Sequence, residues 1–138
     1  MGNVAFVDAE GLVRTYLNSV STLCGAPPAP LRGVFLHPLR STQSGAHGVV
    51  TQVGGYDDGG DANLSYARLS HEVRASTKEA ALTAAVALAN ALRALDGNPQ
   101  VVPSFGTLRS VTDISGPVFV PDGDEPRYVV TALHIVSP

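Results

Sequence analysis

The chain has 138 residues, the usual size of one domain with one hydrophobic core, so a single domain over residues 1–138 is expected. Its formal net charge is −3 and its nine lysines and arginines do not cluster, which leaves no phosphate-binding stripe for nucleic acid. Cys24 is the only cysteine, which excludes an intrachain disulfide, and the 15% charged content is low for a freely soluble monomer, which suggests a surface covered by a partner.

Taken in chain order, Asp8 is placed to cap a helix over residues 9–21, with Glu10 in its first turn. Leu12, Val13, Tyr16, Leu17 and Val20 fall on one face of it. The Gly- and Pro-rich run 25–30 ends regular structure, and residues 33–37 read as a short strand that Pro38 confines to an edge. Residues 46–53 read as a second strand with His47, Val49, Thr51 and Val53 sharing a face, followed by a flexible acidic loop over 54–61. The stretch 54–63 is a candidate for ordering only on assembly. Over 64–75 the alternation is clean, with Ala67, Leu69, His71 and Val73 on one side and Arg68, Ser70, Glu72 and Arg74 on the other. Period two with charge on alternate residues marks a half-exposed antiparallel strand.

Ser76-Thr-Lys-Glu79 reads as a capping box opening a helix over 77–95, which Gly97 and Pro99 close. Its expected buried stripe is Ala81, Leu82, Ala85, Leu88, Ala89, Leu92 and Leu95. Thr83, Asn90 and Arg93 interrupt this longest apolar stretch, so it does not read as a membrane span. No basic segment followed by an apolar run opens the sequence, and synthesis in a cytoplasm is the expectation. Residues 108–114 read as a strand, Val118 to Val120 as another, Pro121-Asp-Gly as a turn, and 127–136 as a long last strand. That strand, beside its acidic turn, is expected to offer an edge to a neighbouring subunit. The order α-β-β-β-α-β-β argues for an α+β fold: a single-layer, mainly antiparallel sheet with two main helices packed on one face.

No assembled catalytic set is visible, so a non-enzymatic protein without metal or cofactor is expected. His37, His47, His71 and His134 include no pair at helical i,i+4 spacing, and His71 reads as a half-buried core histidine. Cys24 follows a helix end, where the dipole raises a thiol pKa, which disfavours a Cys–His dyad. Asp57, Asp58 and Asp61 lack calcium-loop spacing, and glycine pairs 54–55 and 59–60 match no phosphate loop. Asp122, Asp124 and Glu125 crowd three carboxylates onto one turn, which suits a solvated patch or a contact with arginines better than acid–base catalysis. The candidate contact residues are therefore Arg68, Arg74, Asp122, Asp124, Glu125 and Arg127, with the acidic turn meeting the Arg68 and Arg74 face across a subunit boundary.

Three segments, 6–17 (FVDAEGLVRTYL), 67–81 (ARLSHEVRASTKEAA) and 116–130 (GPVFVPDGDEPRYVV), resemble the small tail terminator, or tail-completion, proteins of long-tailed phages that infect actinobacteria. The resemblance runs through most of the chain, but by pattern and without a catalytic signature. It implies a sheet flanked by helices and a ring, usually a hexamer, on the head-proximal end of the tail tube. It further implies that the ring stops tube polymerisation and docks head-completion proteins of the neck, while DNA passes through the lumen unread. The implied setting is the virion, after assembly in the host cytoplasm, with no membrane involved. Competing readings are another neck or connector protein of the same virion, a small oligomeric enzyme with an interface site built on the histidines, and a host regulatory binding module.

Overall fold

The computed structural model describes residues 7–37, 45–58, 64–121 and 125–138. The elements run α1 (Ala9–Ser19), β1 (Val34–Phe35), β2 (His47–Asp58), β3 (Leu64–Arg74), α2 (Lys78–Arg93), β4 (Gln100–Val102), β5 (Gly106–Val120) and β6 (Arg127–Ser137). The fold is α+β: two helices and one six-stranded mixed sheet of order β1-β2-β3-β6-β5-β4, curled into a half-barrel. Among the described strand pairs only the short β1–β2 pair is parallel.

Local chemistry sets both helices. Asp8 caps α1, its Oδ1 accepting from the Gly11 N–H at 3.0 Å. Leu12, Val13 and Leu17 are fully buried. The helix stops at Ser19, two residues short of the sequence expectation, where Val20 turns extended. In α2 the cap is Thr77 and not Ser76: Thr77 is extended and its hydroxyl accepts from the Ala80 N–H at 3.1 Å. The buried stripe runs through Ala81, Ala84, Ala85, Leu88, Ala89, Leu92 and Leu95. Leu82 is exposed, contrary to expectation. One residue turns a helix about 100°, and Ala81 already sits at the middle of the buried face.

The sheet wraps these helices. α1 touches β1 and β2 on one side and β4 and β5 on the other, while α2 rests on β3, β5 and β6. Ala67, Leu69, His71 and Val73 point into the core as the alternation predicts. Their partners on β6 are Tyr128, Val130, Ala132 and His134, all buried. Among the described residues no helix covers the opposite face.

Several expectations change. The last strand is not an edge: β6 lies between β3 and β5 and pairs along its length with both. Its near-continuous apolar sequence, with Val129, Leu133 and Ile135 on the second face, is that of a central strand. Residues 54–58, read as loop, belong to β2 and pair from Gly54↔Arg68 to Asp58↔Leu64. Here glycine answers geometry and not flexibility. Gly55 has φ +133°, and a Cβ there would meet the Tyr66 carbonyl oxygen. Residues 59–61 lie outside the described residues. Thr51 and Val53 do not share the burial of His47 and Val49: Thr51 keeps its register opposite Ser70 but lies beyond the stretch paired with β1, and Val53 sits in a bulge between Gln52 and Gly54. The strands expected at 108–114 and 118–120 are one strand, β5. Register shifts between Thr112 and Ser115 and between Ser115 and Val118 absorb Gly116 and Pro117. β1 shrinks to two residues, and β4 is an addition that the sequence pattern does not show.

Candidate functional site

The uncovered face of the sheet carries most of the described candidate residues. Pairing partners in an antiparallel ladder share a face, so the register assigns it directly. Tyr56 lies opposite Tyr66, Arg68 opposite Leu133, Ser70 opposite Thr131, Glu72 opposite Val129 and Arg74 opposite Arg127.

Two clusters divide this face. At one end, Tyr56 and Tyr66 stack with ring centroids 4.7 Å apart. Nearby, Arg68 reaches across β6 to Asp113 on β5, with Nη2 and Oδ2 at 2.7 Å. Asp113 takes a left-handed conformation (φ 53°) inside the irregular stretch of β5. At the other end, Arg74 and Arg127 stand directly opposite each other, a like-charge pair that Glu72 resolves. Glu72 Oε1 bonds Arg74 Nε and lies 3.6 Å from Arg127 Nη1. Arg127 is the most sheltered of the three, its side chain 16% exposed.

His47 completes this second cluster. It is opposite Arg74 on β2, fully buried, with Phe35 edge-on at 6.1 Å. Burial first, and then the Arg74 charge, lower its pKa, while the Glu125 and Glu72 carboxylates oppose that shift. Glu125 therefore acts on the same cluster. The structure thus brings Arg74, Glu125 and Arg127 together with Glu72 and His47, which the sequence reading does not include. Alternation shows Glu72 and Arg74 on one face, but the approach of His47 and Arg127 depends on strand order alone. Arg68 belongs to the other cluster, and Asp122 and Asp124 lie outside the described residues. Arg68 and Arg74 each have a carboxylate partner within their own chain.

The reactive residue types sit elsewhere. His71 and His134, from β3 and β6, meet on the core face with Nε2 to Nε2 at 3.2 Å. Burial holds His71 well below its ordinary pKa and brings His134 down to about 4. The Cys24 thiol is buried and pushed up to about 11 by desolvation, which leaves almost no thiolate at neutral pH. Among the described residues, no three His, Cys, Asp or Glu side chains converge as metal ligands. The arrangement is a braced, half-exposed sheet surface with fixed ion pairs and an aromatic stack. No helix is long and apolar enough to cross a membrane among the described residues. A scan against family models gives no match to the chain, and neither does a search of curated protein sequences.

Proposed function

We propose that the chain is a structural virion protein, a tail terminator subunit. In this reading it forms a ring, a hexamer, on the head-proximal end of the phage tail tube. The ring ends tube polymerisation and presents the docking surface for head-completion proteins of the neck, and DNA crosses its lumen unread. The three resembling segments supply the family, and a single-layer, mainly antiparallel sheet with its helices on one face suits it. The observation that carries the reading is the division of the molecule. One sheet face carries no helix among the described residues and is half-exposed from Arg74 to Tyr66, while Cys24, His47, His71 and His134 are buried. An enzyme would turn such groups toward a substrate, whereas an assembly subunit needs broad surface instead.

Tail tubes assembled without a terminator provide the test. Added protein should cap one end of each tube in electron micrographs and halt further growth. Protein that leaves both ends bare overturns the reading, and protein that binds purified heads but no tube identifies a different neck component.

A further inference from the structure

We infer that a second copy of the chain docks on the outer face of α2, the two helices lying antiparallel about a two-fold axis at Val86. The contact goes beyond the ring reading and does not rest on it. An isologous pair closes after two copies and leaves the helix-free face of the sheet available to other partners.

The inner face of α2 is filled by the sheet, and its outer face is poor in the chemistry that solvent favours. Between Glu79 and Arg93 the helix carries no charged residue. A solvated helix face ordinarily holds charged side chains, often in i,i+4 pairs. Here Leu82, 42% exposed, and Val86, 41% exposed, stand one turn apart, with exposed Thr83 and Asn90 beside them. Charge is confined to the ends, Lys78 and Glu79 at the start and Arg93 in the last turn. Lys78 is turned over the Phe119 ring, 4.3 Å from its centroid. Glu79 and Arg93 lie about 21 Å apart along the helix axis, too far to meet within one chain. Among the described residues neither has an ion-pair partner.

The middle of the outer face is the line Glu79, Thr83, Val86, Asn90 and Arg93, all exposed. Its alternating steps of four and three residues are those of a packing seam, which brings two helices together nearly in line. The line also reads alike from either end: charged, hydrogen-bonding, apolar, hydrogen-bonding, charged. A two-fold axis at Val86 sets that residue against its own copy. It then sets Thr83 against Asn90 and Glu79 against Arg93, each pair occurring twice. Charge fixes the direction. A parallel pair would stack Glu79 on Glu79 and Arg93 on Arg93, whereas the antiparallel pair joins opposite signs at both ends. Leu82 flanks the line and enters the hole between Val86, Ala89, Asn90 and Arg93 of the second copy. Arg93 Nη1 donates to Asn90 Oδ1 at 3.1 Å, which holds the guanidinium along the seam before a partner arrives. One helix per copy makes a small interface, so the pair forms and parts with concentration and is not permanent.

Crosslinking tests the axis. Val86→Cys puts two thiols face to face across it, and because the native Cys24 is buried the wild-type chain serves as control. Val101→Cys, at a position 77% exposed on β4, measures chance collision. Under mild oxidation Val86→Cys should form covalent dimers, and nothing larger, about tenfold faster than Val101→Cys. Charge exchange tests the direction. In sedimentation, Glu79→Arg and Arg93→Glu should each weaken the pair about tenfold, because each sets like charges together twice. An equimolar mixture of the two should restore it, since every end contact is again between opposite signs. Circular dichroism of each variant checks the fold. Val86→Cys dimers that form no faster than those of Val101→Cys overturn the proposal. Single charge variants that associate as well as the wild type, or a mixture as weak as its components, overturn it too. A protein that passes both tests yet leaves tail tubes uncapped refutes the tail reading and keeps this contact. One that caps tubes and fails them does the reverse.

Discussion

His71 and His134 form a neutral pair whose protonation state follows from its partners. The Ala132 carbonyl, 3.1 Å from His134 Nδ1, only accepts, so Nδ1 carries the proton and His134 Nε2 is an acceptor. His71 Nε2 then donates to it, leaving His71 Nδ1 unprotonated and buried without a hydrogen bond. A proton added to either ring would place an unpaired charge in the core. The unfolded chain binds these protons near pH 6.5, while folded His134 binds its own only near pH 4. Stability is therefore full above pH 6.5 and falls as pH drops toward 4. His134 alone accounts for about 3 kcal/mol of this loss. Urea titrations at pH 7.5 and pH 4.5 measure it. The double variant His71→Leu, His134→Leu should flatten the difference, because it removes both partners together and orphans neither. Either single substitution leaves one ring unpaired and should cost about 1–3 kcal/mol at neutral pH. An unchanged pH dependence in the double variant would place the acid sensitivity elsewhere, with the His47 cluster the next site to examine.

At the scale of the element, short-range chemistry decides more than periodicity does. Ser76 and Thr77 are adjacent and chemically alike, and the motif Ser-x-x-Glu favours the first. Thr77 holds the cap because its own backbone is extended and its hydroxyl reaches Ala80. Thr77→Ala should destabilise the fold by about 1 kcal/mol, while Ser76→Ala should change it by less than about 0.5 kcal/mol. Thermal melts of the two variants separate the assignments, and equal losses would return the cap to Ser76. The helices and the inward row of β3 were legible because each depends on neighbours within a few residues. The length of β2 was not. Gly54 and Gly55 look like loop residues in sequence, yet Gly55 is required by its close approach to the Tyr66 carbonyl of the paired strand. β5 was misread for a similar reason: Gly116 and Pro117 resemble a break, but bulges absorb them within a ladder held by β6.

At the scale of the whole molecule, strand order decides which residues meet, and strand order is a long-range property. The apolar run of β6 signals a strand without showing whether it lies at the edge or the centre. Its central place gathers His47, Glu72, Arg74 and Arg127 into one cluster. If copies of the folded chain associate as the ring reading requires, association is linked to folding, because the unfolded chain has no docking surface to offer. The apparent melting temperature should then rise with protein concentration, unlike that of a monomer. Moving from well below the dissociation constant to one hundred times above it adds about 2.7 kcal/mol, an increase on the order of 10 °C for a domain of this size. Melts from low micromolar to several hundred micromolar make the comparison directly. A flat series would mean that the folded chain does not associate with copies of itself, and the ring reading would fall with it.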